Sequence, residues 1–125
     1  MYELVVRSQF SAAHNLRNYK GKCEALHGHN WQVEVFVRAD SLGKGGMVLD
    51  FNILREETER ILQTLDHKYL NDLPSFQKEE PSSENIARYI YEALEQSLRT
   101  YRLSPYKVTA WESEGAGASY LGGER

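Results

Sequence analysis

The 125-residue chain predicts an α+β fold: a four-stranded antiparallel sheet with two helices on one face. Three observations point there. Residues 29–39 alternate strictly, with Trp31, Val33, Val35 and Val37 interleaved with Asn30, Gln32, Glu34 and Arg38. Two later stretches carry apolar residues at helical spacing. Two short strand-like runs then close the chain, so the element order is strand, strand, helix, helix, strand, strand.

The elements follow in order. Tyr2, Leu4, Val6 and Phe10 share one parity, interrupted at Ser8, and make residues 2–13 the first strand. Residues 15–24, with Asn15, Asn18, Lys20 and Gly21, form a loop. The second strand is 29–39, and its antiparallel pairing with the first brings His14 towards His27 and His29. Three glycines between Leu42 and Gly46 mark a turn, and 47–51 is expected to be extended. Asp50 or Asn52 caps a helix over 53–65, whose apolar face is Leu54, Ile61, Leu62 and Leu65. Pro74 and Pro81 place 71–81 in a loop. Ser82 caps a second helix, with Glu84 in its first turn and Ile86, Ile90, Leu94 and Leu98 on one side, running to about Tyr101. Ser104-Pro105 ends it, and short strands are expected at 108–112 and 118–121 around Gly115 and Gly117. Such a sheet has two open edges, one hazard of which is uncontrolled pairing, so identical subunits are expected to join edges in a ring.

Length gives one domain, 1–125. With 41% apolar and 26% charged residues the composition is that of an ordinary soluble protein. A net charge of −3 argues against a general nucleic-acid or membrane-surface binder. The single cysteine precludes an intramolecular disulfide and suits a reducing compartment. No charged-then-apolar leader opens the chain and no apolar run approaches ~20 residues, so a cytoplasmic location is expected.

Chemistry concentrates in Cys23-Glu-Ala-Leu-His-Gly-His29. His27 and His29 lie two apart, on the same face of an extended strand and in the parity of the apolar residues that follow. With His14 they offer three imidazoles, the donor set of a zinc site that keeps one position open. A lone histidine is more often a surface or core residue, but three of the four histidines and the only cysteine fall within 14–29. Cys23 fits two roles, fourth ligand or a base beside the metal. Asp66-His67 fits two as well: a carboxylate–imidazole pair that fixes a tautomer, or a histidine interacting with a helix C-terminus. Glu112 shares the parity of Val108 and Ala110. It is either an edge glutamate facing water or a buried carboxylate that needs a ligand with two N–H donors.

The chain resembles the 6-pyruvoyl-tetrahydropterin synthase family over nearly its whole length, and most of all its bacterial branch, the 6-carboxy-tetrahydropterin synthases of the queuosine pathway. The resemblance rests on six blocks in order: Phe10-Ser-Ala-Ala-His14, Cys23-Glu-Ala-Leu-His-Gly-His29, Gly46-Met-Val-Leu-Asp-Phe51, Leu65-Asp-His-Lys-Tyr-Leu-Asn-Asp72, Pro81-Ser-Ser-Glu-Asn-Ile86 and Glu112-Ser113. It implies a tunnelling fold whose subunits form a β-barrel ring, two rings stacking into a homohexamer (a dimer of trimers) with pockets between subunits. It implies zinc on His14, His27 and His29, Cys23 as general base supported by His67 and Asp66, and Glu112 anchoring the pterin ring and linked to that relay.

The implied reaction converts 7,8-dihydroneopterin triphosphate to 6-carboxy-5,6,7,8-tetrahydropterin, releasing acetaldehyde and triphosphate. The residue types suit it, since zinc acidifies bound hydroxyls and adjacent C–H bonds, and a thiol beside a dication is readily ionised. Glu24 directly follows Cys23. Some family members carry a glutamate in place of, or beside, the cysteine and make 6-hydroxymethyl-dihydropterin, so this product and 6-pyruvoyl-tetrahydropterin are the alternatives from the same substrate. A zinc-containing pterin-binding protein without activity is the non-enzymatic alternative.

Overall fold

Strands β1 (Tyr2–His14) and β2 (His27–Ala39) pair antiparallel along their full length, from Tyr2 opposite Ala39 to His14 opposite His27. The structure is a computed structural model, and it describes residues 1–17, 19–22 and 24–122. The alternation read from the sequence is the burial pattern: Leu4, Val6, Phe10 and Ala12 of β1, and Trp31, Val33, Val35 and Val37 of β2, face one core. Ser8 interrupts the apolar parity without interrupting the strand, because its backbone stays paired with Val33.

Helix α1 spans Phe51–Leu62, capped by Asp50, whose carboxylate accepts from Asn52 N at 2.7 Å. It starts and ends earlier than the periodicity predicts, and 47–50 is neither strand nor helix. Beyond Leu62 the chain continues in tighter turns, Leu65 N donating to Leu62 O, and these keep Leu65 on the buried side.

The chain then makes β3, Lys68–Tyr69, which runs parallel to β1 at Ala12 and Ala13. This is the main correction to the sequence reading: the sheet has five strands, in the order β3-β1-β2-β4-β5, rather than four. Two residues carry no periodicity to read, and both are exposed.

Helix α2 spans Ser83–Ser97, with Ser82 Oγ accepting from Asn85 N at 3.2 Å. Its α-helical part stops at Ser97, a 3₁₀ turn covers Leu98–Tyr101, and Arg102 ends it in the left-handed region at φ 57°. Both helices pack on the apolar face, burying Leu54, Leu62, Ile86, Ile90 and Leu94 against it.

β4 (Pro105–Ser113) and β5 (Ala116–Leu121) are longer than expected. Pro105 can begin β4 since a first strand residue need not donate to the ladder. Gly117 belongs to β5 rather than to the turn: a Cβ there would come within 2.6 Å of the Trp111 ring, so only glycine admits that indole. The opposite sheet face is polar, with Arg7 on Glu34 at 2.8 Å and Trp111 Nε1 donating to Glu34 at 2.6 Å. No described helix is long and apolar enough to cross a membrane.

Candidate metal centre

The β1–β2 register assembles the three imidazoles. His14 stands opposite His27 and Ala12 opposite His29, so the rings meet where the apolar face ends. Their centroids lie 4.6 Å (His14–His27), 5.3 Å (His14–His29) and 4.7 Å (His27–His29) apart. Trp31 closes the floor, edge-on to His14 and His29.

Two backbone carbonyls fix tautomers. His14 Nδ1 donates to Pro81 O at 2.7 Å and His27 Nδ1 to Ala25 O at 2.8 Å. A carbonyl only accepts, so the protons sit on Nδ1 and the Nε2 lone pairs are left free. His14 is 2% exposed, and its Nε2 is buried with no hydrogen-bond partner among the described residues. A buried, unpaired acceptor is costly, and a cation is what would satisfy it. His29 Nε2 is likewise unpartnered. Burial holds the pKa of His29 below the ordinary imidazole value, reinforced by His27 and His14 and opposed by the Glu112 and Glu24 carboxylates. Neutral imidazoles with inward lone pairs fit a borderline metal such as zinc.

Glu112 joins the cluster. Candidate ligand atoms of His14, His27, His29 and Glu112 all lie within 4.8 Å of one another. Glu112 sits where β4 and β5 slip register, Trp111 pairing with Gly117 and Ser113 with Ala116. Its parity with the buried Val108 and Ala110 puts it on the sheet face that carries Trp31 and His29, at the end of the apolar core. Its Oε1 is 3.0 Å from His29 Nε2, outside hydrogen-bond geometry, and Ser83 Oγ donates to its Oε2 at 3.4 Å.

Asp66 and His67 form the expected pair elsewhere. His67 Nδ1 lies 2.9 Å from Asp66 Oδ2, and Asp66 Oδ1 accepts from Ser11 N at 2.9 Å. The Ser11 amide, then His67, holds the Asp66 carboxyl below the usual carboxylate range. His67 has the left-handed φ of 57°, and its amide donates to Ser11 O at 2.6 Å. This fastens the pair to the edge of β1 with the imidazole 81% exposed. A shallow cleft runs along that edge, lined by Ser11, Asn30, His29, His67 and Lys68. Thus the structure gathers His14, His27, His29 and Glu112 at one point and leaves Asp66–His67 outside that cluster. Cys23 lies outside the described residues.

Glu24 is anchored: its Oε1 accepts from Leu16 N at 3.1 Å and lies 3.8 Å from His27 Nδ1. Asn15, next to the candidate ligand His14, is a hub. Its backbone exchanges two hydrogen bonds with the Asn71 side chain, its Nδ2 donates to Glu24 O at 3.1 Å, and its Oδ1 accepts from Tyr69 OH at 2.6 Å. Arg17 clamps the same loop to Glu80, Asn71 O and Phe76 O. Sequence reasoning missed these supports. Backbone carbonyls such as Pro81 O leave no sequence signal, whereas Ser83 was visible in the Pro81–Ile86 block.

A five-stranded, mainly antiparallel sheet with helices on one face and three convergent imidazoles at its end defines a small α+β domain with a candidate metal centre. The sequence model of 6-pyruvoyl tetrahydropterin synthase matches residues 3–123, and the chain belongs to that family. It is 39% identical over 102 residues to 6-carboxy-5,6,7,8-tetrahydropterin synthase of Synechocystis sp., covering 78% of each chain. The solved 6-pyruvoyl tetrahydropterin synthase of Caenorhabditis elegans superposes with a TM-score of 0.84 at 29% identity, covering 98% of this chain and 96% of that one. A Plasmodium vivax 6-pyruvoyltetrahydropterin synthase, with a catalytic glutamate replaced by cysteine, superposes at 0.75 with 26% identity, covering 95% and 96%.

Proposed function

We propose that the chain is a zinc-dependent synthase converting 7,8-dihydroneopterin triphosphate to 6-carboxy-5,6,7,8-tetrahydropterin, with release of acetaldehyde and triphosphate, in queuosine biosynthesis. The observation that carries this reading is the buried, unpartnered Nε2 of His14 facing His27 and His29, in a chain similar to bacterial 6-carboxy-tetrahydropterin synthases. His14, His27 and His29 hold the zinc, which when bound supplies Lewis acidity towards the substrate's side-chain hydroxyls. Cys23 takes the proton from the side chain. His67, its Nδ1 proton held by Asp66, keeps Nε2 free to pass a proton on. Glu112, with Ser83 beside it, accepts hydrogen bonds from the pterin ring edge.

The assembly we propose is a cytoplasmic homohexamer, a dimer of trimers with barrel-like rings. Two features support it. β3 covers β1 only at Ala12 and Ala13, leaving the rest of that edge open, as β5 leaves the other. An 81%-exposed relay imidazole on a sheet edge also suits a pocket completed by a neighbour.

A second reading, 6-hydroxymethyl-dihydropterin formation, is favoured by Glu24, which directly follows Cys23. Incubation of the zinc-loaded protein with 7,8-dihydroneopterin triphosphate and chromatography of the products decides. The expected products are the 6-carboxy pterin and acetaldehyde; a 6-hydroxymethyl or 6-pyruvoyl pterin without acetaldehyde overturns the first reading.

A further inference from the structure

Glu112 stands where a fourth metal donor would stand, and that placement is not needed for holding a pterin. The three imidazoles supply three donors and no charge. Four donors around a zinc ion at bond lengths of ~2.0–2.1 Å stand roughly 3.3 Å apart. Glu112 Oε1 and His29 Nε2 are 3.0 Å apart, close to that spacing. They are also not hydrogen-bonded to each other, although their distance permits it. Two donor atoms this close with no hydrogen bond between them leave both lone pairs for an ion. All four candidate donors fall within 4.8 Å, so modest contraction would close the set.

The backbone explains why this side chain reaches. Glu112 shares the parity of the buried Val108 and Ala110, on the sheet face that carries His29, and the register slip between Trp111 and Ser113 leaves it out of the ladder with β5. Electrostatics point the same way. With neutral imidazoles alone a dication keeps its full charge beside Trp31, which is wholly buried, and His14, which is nearly so. One carboxylate halves that charge. Ser83 Oγ at 3.4 Å from Oε2 gives the second oxygen a separate partner, so one oxygen can serve a metal while the other is held. The Glu112 side chain is 35% exposed, which leaves it room to swing out.

We propose that Glu112 is the fourth ligand of the resting metal site and that it leaves when the substrate's hydroxyls arrive. This rests on the pterin-synthase reading above. The step is a ligand exchange: the Glu112 carboxylate bond to the metal breaks, bonds to the two side-chain hydroxyl oxygens form, and the carboxylate swings to the pterin N–H groups. No electron changes hands. The carboxylate would thus guard the metal from other ligands in the empty enzyme and report its occupancy to the ring-binding end of the pocket.

The test uses substrate-free full-length protein. Zinc affinity is measured by chelator competition, and the visible spectrum of the Co²⁺-substituted protein is recorded, for wild type, Glu112→Gln, Glu112→Ala and His27→Ala. The expected result is a loss of zinc affinity of about 10–100-fold or more in both Glu112 variants, since outer-shell losses alone reach that range. Their cobalt bands should also shift, and adding neopterin to wild type should shift its bands while leaving the Glu112 variants less changed. Glu112→Gln preserves shape, so a folded variant with wild-type affinity and spectrum overturns the proposal. If that happens while His27→Ala loses the metal, the three-histidine site stands and only the fourth ligand falls. If His27→Ala binds zinc as wild type does, the metal-dependent reading itself has failed.

Discussion

His14 and His67 are both anchored through Nδ1, yet they are opposite kinds of imidazole. His14 is almost wholly buried, pinned by a backbone carbonyl, and presents Nε2 to two other rings. His67 is almost wholly exposed, pinned by a carboxylate, and presents Nε2 to solvent at a sheet edge. The partner decides the use. A carbonyl on Nδ1 fixes a tautomer that turns Nε2 to a metal, while a carboxylate on Nδ1 orients a ring for proton transfer. The first group gathers four candidate donors within one chain; the second stands exposed on the edge of β1.

That contrast can be broken most severely at the metal. His14→Ala should take zinc content from about one per chain to near zero by elemental analysis, because it removes both a donor and the buried acceptor. His67→Ala should keep its zinc and still lose turnover by ~10²–10⁴-fold. Equal zinc loss in both variants would erase the distinction between the two imidazoles.

The Cys23→Ala variant sharpens the comparison at the next level. It should retain zinc and fall ~10²–10⁴-fold in turnover. Loss of zinc along with activity would make Cys23 a ligand. Wild-type turnover with full zinc would remove it from the mechanism and shift attention to Glu24, whose present contacts serve the loop, through Leu16 N.

The smallest expected effect is on acid stability. Asp66 has its folded-state pKa depressed, chiefly by the Ser11 amide and then by His67. Its contribution is therefore present above the unfolded value near ~3.9 and is lost as pH falls through the lower folded value. Asp66→Asn should flatten the decline of melting temperature between neutral pH and pH ~3, read by circular dichroism. An acid limb as steep as wild type's would mean that the Ser11 contact does not hold the carboxylate.

How much of this was legible depends on whether side-chain parity carried the information. Parity placed Trp31 to Val37 in the core, put His27 and His29 in line with them, and paired β1 with β2 so that His14 met both. It also set Glu112 on the inward face. Parity could not show the register slip at Glu112, because a bulge is a local change of parity. It could not show β3, where two residues pair through backbone alone. The ends of α1 and α2 were blurred for a related reason: Leu65 and Leu98 stay buried in the tighter turns that follow each helix, so burial outlasts the helix.

The Asn15 hub also bears on the order in which the molecule can assemble. His27 and His29 are neighbours in any conformation of the chain, whereas His14 is brought opposite them by the pairing of β1 with β2 and held there by contacts that span 56 residues (Asn15 to Asn71) and 67 residues (His14 to Pro81). Contacts that close such long loops form only after the sheet and α2 have come together. An unfolded chain thus holds a two-histidine site of low affinity, and the full donor set belongs to the native state alone. A metal held by that set would draw the population towards the folded state by mass action, and its release would time the opening of the whole domain.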